Sequence, residues 1–347
     1  MKVKGLDKAF TVVGENVHCT RILLRKGKRI GETPDGEEAV MWTEAGGQQR
    51  YLTIPEKTKK TSDYQEGRVK HVQIAVRAAM AQDGSDREAG LAYLNHIVQR
   101  QVAAGVDFLD LNTDEISFKH EEQQQAMQWL VRTVQGMTET PLSVDSSLME
   151  TIAAGMAAYD NRTGRLMLNS ASLERQEALD LALQHDAEAI ITGAGESGMP
   201  ENTEQRVANA SRMIDLAVKK GIKICDIHVD LLVFPISVDS QFGLHYLDAV
   251  RQIREKYGPD IHITGGMSNV SFGIPARRLV NDAFVNLAIE SGADGGILDP
   301  VSRDIEQIIA LDQNAPAYQL ARQMLLGEDR NCKNFLRGYR KGELDTR

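Results

Sequence analysis

The stretch Gly265-Gly266-Met267-Ser268-Asn269-Val270-Ser271-Phe272-Gly273-Ile274-Pro275 joins a short β-branched run to an amphipathic segment. Residues 261–264 alternate between apolar and polar side chains, as strands do, and residues 277–291 repeat at helical spacing. The stretch is therefore predicted to be a strand-to-helix turn that holds a polar pair, Ser268 and Asn269, at the carboxyl end of a strand. The two glycines before this pair let the backbone approach a ligand closely, because they carry no Cβ.

The same alternation of short apolar runs and amphipathic segments extends along most of the chain. Eight runs are predicted to be strands: 10–14, 106–111, 142–144, 166–168, 189–192, 225–229, 261–264 and 295–298. Ser85 and Glu88 predict a capping box at the start of one helix, Gly105 predicts its end, and Gly221 and Gly292 predict the ends of two more.

Eight such units in roughly 300 residues favour a (β/α)8 TIM barrel, an α/β fold, formed by residues 1–347 as a single domain. A doubly wound sheet is the alternative, but the dinucleotide fingerprint G-x-G-x-x-G does not follow the first predicted strand.

Composition excludes several classes of protein. With 42% hydrophobic residues among 347, the chain can bury a substantial core, and its net charge of -9 argues against nonspecific binding to nucleic acid. No apolar run approaches the ~18 residues that span a membrane, and residues 1–7 are too polar for a secretory signal. Cys19, Cys225 and Cys332 form no C-x-x-C motif, so we expect a cytoplasmic protein without a metal site.

One segment, 25–68, interrupts the alternation. It contains Lys-Gly-Lys-Arg, Thr-Pro-Asp-Gly, Gly-Gly-Gln-Gln and Lys-Thr-Lys-Lys, with Trp42 and Tyr51 between them. This density of turn residues predicts an insertion of hairpins or loops between the first strand and the first helix. Because the first such loop opens onto the active-site face of a barrel, the insertion is a candidate lid or docking surface, or else an extension without a role in function.

Polar side chains lie at or just after the ends of seven of the eight predicted strands. They are Glu15 and Asn16; Asp110 and Asn112; Asp145, Ser146 and Ser147; Asn169 and Ser170; Asp230; Ser268 and Asn269; and Asp299. Each alone is more often a helix N-cap than a ligand contact, but their convergence at one mouth of a barrel predicts a binding site. Carboxylates and amides without a cluster of Lys or Arg suit a neutral heterocycle with N–H donors better than a phosphorylated sugar.

These residues carry a family resemblance. The matching motifs are Gly14-Glu15, Leu109-Asp110-Leu111-Asn112, Val144-Asp145-Ser146-Ser147, Leu168-Asn169-Ser170, Asp230, Met267-Ser268-Asn269-Val270-Ser271 with Pro275 and Arg277, and Asp299-Pro300. They resemble the pterin-binding methyltransferases, which include the methyltetrahydrofolate:corrinoid methyltransferases and the folate domain of cobalamin-dependent methionine synthase. The resemblance covers about 10–309 without the insertion. It implies a barrel like that of dihydropteroate synthase, usually a homodimer, with tetrahydrofolate as methyl donor or acceptor and a corrinoid as the other methyl carrier.

The resemblance also implies roles for single residues. Asp145, Asn169 and Asp230 would hold the pyrimidine ring of the pterin, where a carboxylate can accept two adjacent N–H donors. Asn269 would lie beside N5, the atom that carries the methyl group, with Ser268 and Asp110 in the surrounding hydrogen-bond network. Glu15, Asn112 and Arg277 would complete the substrate-binding set.

The chain also departs from the family pattern. Asn16 and His18 stand where the family commonly has Arg and Asn, Thr113-Asp114 replaces Val-Gly, and Phe272 replaces a polar residue. Asp226-Ile227-His228 lacks the glycine and downstream elements of a cobalamin-binding signature, so the corrinoid is expected on a separate partner protein.

The predicted activity is methyl transfer, EC 2.1.1.-, between N5 of tetrahydrofolate and corrinoid cobalt in one-carbon metabolism, with the direction left open. One placement is the tetrahydrofolate-methylating step of a corrinoid-dependent demethylation system. Two alternatives are a dihydropteroate synthase and a pterin-binding subunit without catalysis. Against the synthase, the first loop has no Ser-Phe-Ser-Asp and the chain offers no clear Lys and Arg-His pair for a pyrophosphate.

Overall fold

A computed structural model describes residues 8–44, 46–82 and 84–344. The strands are, in chain order, β1 (Thr11–His18), β2 (Leu23–Leu24), β3 (Ile30–Glu32), β4 (Glu38–Thr43), β5 (Gln49–Thr53), β6 (Arg68–Val69), β7 (Phe108–Asn112), β8 (Leu142–Asp145), β9 (Met167–Ala171), β10 (Glu188–Thr192), β11 (Ile227–Asp230), β12 (His262–Thr264) and β13 (Gly295–Leu298).

The α-helices are α1 (Glu56–Lys59), α2 (Ser62–Gln65), α3 (His71–Ala79), α4 (Ser85–Ala103), α5 (His120–Gln135), α6 (Met149–Ala158), α7 (Ala178–Gln184), α8 (Thr203–Lys220), α9 (Phe242–Tyr257), α10 (Arg277–Ser291), α11 (Ile305–Ile309), α12 (Pro316–Leu325) and α13 (Lys333–Arg340). None of the helices in the described ranges is long and apolar enough to cross a membrane. The polar segment 1–7, on which the absence of a secretory signal was predicted, lies outside the described residues.

The main sheet has eight strands in the order β12-β11-β10-β9-β8-β7-β1-β13. The strand pairs of known register, β1-β13, β7-β8, β9-β10, β10-β11 and β11-β12, are parallel. Helices lie between consecutive strands of the sheet along the chain. A parallel bridge between Gly266 and Ile297 joins the end of β12 to β13. This order, in which sequence neighbours are sheet neighbours and the last strand pairs with the first, confirms the predicted (β/α)8 barrel; a doubly wound sheet would have a switch point in its order.

All eight predicted strands are present, but several local predictions were wrong. Strand β1 continues to His18, so Glu15 and Asn16 lie inside the strand and do not follow it. Cys225 belongs to a 3-10 turn, Ile224–Asp226, that precedes β11. The capping box at Ser85 is not formed, because Gly84, with φ 104°, is the N-cap and Ser85 is already in the first helical turn.

Other predicted boundaries are correct. Helix α10 spans Arg277–Ser291 as the spacing indicated, and it ends at Gly292 with φ 110°, in the left-handed conformation. Gly221, with φ 108°, ends α8 in the same way. Glycine serves at these positions because a side chain there would strain the backbone.

The described chain divides into two compact units. The first comprises residues 8–14, 105–107 and 167–344, and it contains β9 to β13 with helices α7 to α13. Tyr246 of α9 is fully buried, packs with its ring 5.3 Å from that of Phe284 in α10, and donates a hydrogen bond to the Thr264 carbonyl over 2.8 Å. The end of β12, where the turn 265–275 begins, is therefore anchored in the core.

The second unit comprises residues 15–104, with the two gaps given above, and 108–166. Here the insertion forms the antiparallel sheet β3-β4-β5 and the two short helices α1 and α2, and the antiparallel pair β2-β6 closes its two ends. The predicted hairpins are therefore present. Trp42 of β4 is 5% exposed and lies 4.9 Å, ring to ring, from Tyr93 of α4, so the insertion is packed onto this helix. A segment buried in this way is poorly suited to open and close as a lid.

Candidate active site in the two units

In the second unit, β7 and β8 present polar groups side by side at their carboxyl ends. Asn112 is in register with Asp145, and its amide donates a hydrogen bond to the Asp145 carboxylate over 2.8 Å. The Asn112 carbonyl oxygen accepts from the Asp114 backbone N–H over 3.0 Å, which fixes the orientation of the amide. These contacts bring together two predicted substrate-binding residues and hold the Asp145 carboxyl in place.

His18 at the end of β1 is paired with Asp110 of β7. The distance from His18 Nε2 to Asp110 Oδ2 is 2.9 Å; the Asp110 side chain is buried and the His18 side chain is partly exposed. Ligand atoms of His18, Asp110 and Asp145 all lie within 4.8 Å of one another. Because Asp110 is fully buried, we assign it to the support of His18 and not to direct contact with a ligand.

The ionisable groups of this set affect one another's pKa. Burial raises the pKa of Asp145 to about 7, with a further increase from the nearby Asp110 charge and an opposing effect of His18 and the Asn112 hydrogen bond. For His18, burial lowers the pKa, but the hydrogen bond to Asp110 and the charges of Asp110, Asp145 and Glu15 outweigh it and leave the pKa raised. Asp145 therefore exchanges its proton near neutral pH, and the protonated form of His18 is favoured.

Asp114, one of the departures from the family pattern, joins the loops after β7 and β8. Its carboxylate accepts hydrogen bonds from the Ser146 hydroxyl and, over 2.9 Å, from the Ser147 backbone N–H. Arg21 donates to the predicted binding residue Glu15 over 3.1 Å. These contacts order the rim of the second unit.

In the first unit, Asp230 ends β11. Its carboxylate accepts from the Leu232 backbone N–H over 2.7 Å, and Leu232 has φ 63°. Burial raises the pKa of Asp230 to about 6, while the Leu232 hydrogen bond and the Arg206 charge oppose that increase. A buried carboxyl with a raised pKa has too few donors to stabilise its charge, and a ligand that brings N–H groups supplies them.

The loop after Asp230 is held by Arg206 of α8, a fully buried arginine. Arg206 Nε donates to the Leu231 carbonyl over 3.1 Å, and its guanidinium lies 4.7 Å from the centre of the Phe234 ring. Sequence reasoning missed this residue. The available signal was its position on the apolar stripe of α8, which it shares with Ala210, Met213 and Ala217.

Asn169 lies in β9 and is buried, 8% exposed. The register between β9 and β10 shifts just beyond it, because Ile190 is opposite Asn169 whereas Ile191 is opposite Ala171. Ser170 is the extra residue of this irregularity, and Arg175 Nη2 donates to its hydroxyl over 3.4 Å. Bulges of this kind redirect neighbouring side chains and are common beside active sites.

The turn that contains Ser268 and Asn269 is a 3-10 helix, Met267–Ser271. Asn269 is exposed, and its backbone N–H bonds to the Gly266 carbonyl over 3.0 Å. Arg277 fastens the turn, since it donates to the Ser268 carbonyl over 3.0 Å and to the Ser271 hydroxyl over 2.9 Å. The structure thus gives Arg277 a supporting contact with the turn.

Asp299 after β13 accepts from the backbone N–H groups of Val301 and Ser302, over 3.1 and 3.3 Å. It therefore acts as a loop cap.

The remaining sequence-predicted residues fall into two sets, one in each unit. The second unit contains Glu15, Asp110, Asn112 and Asp145, and the first contains Asn169, Asp230, Ser268, Asn269 and Arg277.

Residues 61–299 match the protein family described as pterin binding enzyme. The chain is 31% identical over 259 residues to a methylcorrinoid:tetrahydrofolate methyltransferase from Eubacterium limosum, covering 73% of this chain and 89% of that protein. It is 26% identical over 217 residues to methionine synthase from Mycobacterium leprae, covering 58% of this chain and 17% of that protein. A dihydropteroate synthase structure from Xanthomonas albilineans, in complex with 7,8-dihydropteroate, aligns with TM-score 0.51 and 20% identity over 66% of this chain and 85% of that chain. At this identity the structural likeness concerns the fold alone.

Proposed function

The chain belongs to the pterin-binding enzymes, and on that premise we propose that it moves a methyl group between N5 of tetrahydrofolate and the cobalt of a corrinoid carried on a separate protein. The observation that carries the proposal is the 31% identity to a methylcorrinoid:tetrahydrofolate methyltransferase over 89% of the length of that protein. The barrel fold alone supports no particular chemistry, because one fold hosts many activities.

For the pterin ring, we propose that Asp145, Asn169 and Asp230 bind the pyrimidine edge. Burial raises the pKa of Asp145 to about 7 and that of Asp230 to about 6, so both carboxylates would be stabilised by further hydrogen-bond donors. The adjacent N–H donors of a pyrimidine supply them, and the amide of Asn169 suits an edge with both donors and acceptors. Asn112 contributes by holding the Asp145 carboxylate.

For the chemical step, we propose that Asn269 acts beside N5. A methyl group leaves N5 poorly as long as N5 would depart as an amide anion, so the step needs a proton or a strong hydrogen bond at N5. The Asn269 side-chain carbonyl can stabilise positive charge that develops there. Ser268 and Asp110 belong to the supporting network. Arg277 holds Ser268 in place by donating a hydrogen bond to the Ser268 backbone carbonyl.

The corrinoid is a substrate of this reaction: its cobalt(I) form is the nucleophile when methyltetrahydrofolate is the donor, and its methylcobalt(III) form is the donor, releasing cobalt(I), when tetrahydrofolate accepts the methyl group. We propose a separate corrinoid protein as its carrier, because the sequence contains no cobalamin-binding signature. We extend the proposal to a cytoplasmic homodimer in which residues 1–347 form one domain, with 25–68 as an insertion. A corrinoid-dependent demethylation system, in which tetrahydrofolate accepts the methyl group, is the proposed setting.

The deciding experiment mixes the purified protein with methyltetrahydrofolate and chemically reduced free cobalamin and follows the cobalt(I) absorption. Loss of that absorption, with equimolar tetrahydrofolate formed, is the expected result. No loss, together with condensation of a pterin pyrophosphate with p-aminobenzoate, would replace the proposal by dihydropteroate synthase. Tight folate binding without either reaction would point to a non-catalytic pterin-binding subunit.

A further inference from the structure

One ring nitrogen of His18 is hydrogen-bonded to Asp110, and the other is available to a ligand or water. Its Nε2 lies 2.9 Å from Asp110 Oδ2, while among the described residues nothing hydrogen-bonds to Nδ1. The His18 side chain retains 13% exposure, against 1% for Asp110. The buried carboxylate therefore orients the ring and fixes Nε2 as the nitrogen that donates to it, which leaves Nδ1 for a ligand or water.

The charged groups around His18 are predominantly acidic. Asp110 comes from β7, Asp145 from β8 and Glu15 from β1 itself, and all three favour the protonated ring. The cation Arg21 pairs with Glu15 of this set over 3.1 Å. This surrounding stabilises an imidazolium that is largely shielded from water.

The histidine at position 18 departs from the family pattern. The family resemblance places an asparagine where His18 stands, and an amide can donate a hydrogen bond but cannot carry a proton to a reacting atom at neutral pH. An imidazole can do both. The pairing with Asp110, 92 residues away in sequence, gives this substitution a definite geometry.

We propose that His18, positioned by Asp110, holds the proton that is delivered from its Nδ1 to N5 of the folate, directly or through one water. The proposal rests on the proposed methyl transfer. When methyltetrahydrofolate is the donor, N5 takes this proton, the N5–methyl bond breaks with its electron pair left on N5, and the methyl group bonds to the electron pair of cobalt(I). Tetrahydrofolate leaves with the N5–H, and His18 regains a proton from solvent.

The same three side chains could in principle bind a divalent cation, since His and Asp are common ligands. However, His18 Nε2 already donates to Asp110 and the Asn112 amide already donates to Asp145, so a cation held by all three side chains would have to displace both hydrogen bonds. We therefore assign the group to holding a proton. Zinc titration is included in the test below.

The test compares wild type with His18→Asn, Asp110→Asn and the exposed control His120→Asn, using methyltetrahydrofolate and free cobalt(I) cobalamin in single turnovers from pH 5.5 to 9. In the wild type the rate should fall as pH rises through the His18 pKa, because the proton is lost. His18→Asn should abolish that decrease and lower the low-pH rate by about 10²-fold. His120→Asn should behave as wild type.

Two readouts are independent of turnover. Nuclear magnetic resonance of the imidazole should place the His18 pKa above the ordinary value in the wild type and lower it in Asp110→Asn. Equilibrium binding of tetrahydrofolate at pH 8 should change less than about threefold in His18→Asn, because the ring-binding residues remain. A folded His18→Asn protein with an unaltered pH profile would overturn the inference, as would stoichiometric zinc binding that this substitution removes.

Different results would contradict the proposed methyl transfer and the proposed role of His18. If the wild type does not consume cobalt(I) at any pH, the proposed function itself is wrong. If the wild type is active and His18→Asn is active with the same pH dependence, only the role of His18 is wrong.

Discussion

The side-chain amide of Asn269 occupies the space that a Cβ of residue 266 would need. A Cβ built on Gly266 would lie 2.7 Å from Asn269 Nδ2, closer than real contacts of this kind. Gly266 thus sets the position of the amide across the turn, and no positive φ is involved at this glycine. The pair explains why a glycine immediately precedes the turn Met267–Ser271.

Gly266→Ala should therefore displace Asn269 while leaving the barrel folded. Misplacing a catalytic group by about 1 Å can cost on the order of 10²-fold in rate, and we expect a decrease of that size in single-turnover methyl transfer. Gly46→Ala is the matched control, since a Cβ there would meet nothing within 4 Å. A Gly266→Ala enzyme with the wild-type rate would mean that the position of Asn269 does not matter.

Asn269→Ala separates chemistry from binding. Because the amide is proposed to act mainly when N5 gains positive charge, its removal should lower kcat by about 10² to 10³ and affect tetrahydrofolate affinity much less. Single-turnover rates and calorimetric affinities measured on the same preparation provide the comparison. If the saturated rate were retained and only affinity lost, Asn269 would be an ordinary pocket contact.

The sequence predicted the eight strands because each is a short apolar run between punctuating glycines and amphipathic helices. It misjudged the end of β1, because the polar residues Glu15, Asn16 and His18 interrupt the apolar pattern although their backbone continues in the sheet. The Ser85 capping box failed for a related reason, since Gly84 could adopt the φ of 104° that ends the preceding loop. The local sequence pattern thus identifies strands and helices better than it locates their first and last residues.

The sequence predicted which residue types of the candidate site lie at strand ends, but not which of these residues contact one another. The His18–Asp110 contact joins residues 92 positions apart, and the Asn112–Asp145 contact joins residues 33 positions apart. Such contacts depend on strand order and register. Arg206 was missed because its place on the apolar stripe of α8 indicates that it is buried but not which loop it supports, and the loop is known only from the packing.

Tetrahydrofolate affinity should depend on pH through Asp145 and Asp230. Their pKa values are raised to about 7 and about 6, and the ligand N–H donors require the ionised carboxylates. Since protonation competes with the ligand, affinity should be greatest above pH 7 and fall as pH drops through 7 and then 6. Asp145→Asn should lose the upper step, and Asp145→Ala should weaken binding at pH 8 by about 2 to 4 kcal/mol.

Calorimetry from pH 5 to 8.5 measures this dependence. A wild-type affinity that is constant over the range would remove both carboxyls from the ring site. Retained wild-type affinity in a folded Asp145→Ala protein would remove Asp145 alone.

Phe118 is a candidate anchor for the corrinoid protein. It is fully exposed in the loop after β7 and borders a groove of about 700 Å³ that also includes Lys57, Lys70 and Gln73. Lys70 is already paired with Asp63 and Glu115, and the insertion carries nine basic and eight acidic residues in 25–68, so an aromatic contact suits docking of the proposed corrinoid partner better than net charge does.

Phe118→Asp should slow methyl transfer with the corrinoid protein by about tenfold or more and leave transfer with free cobalamin unchanged, because only docking requires the ring. Tyr339→Asp is the control, an exposed aromatic of α13 in the first unit. Equal slowing with both acceptors would exclude a docking role for Phe118.

The packing of the insertion against α4 gives this protein a built-in optical probe. The sequence contains two tryptophans, and Trp42 is buried against Tyr93, with His96 6.2 Å away, where the β3-β4-β5 sheet meets the helix. An indole transferred from such a site to water shifts its emission to longer wavelength. With Trp129 replaced by Phe, the emission of Trp42 would therefore report whether the insertion stays attached to the helix during turnover, without a label.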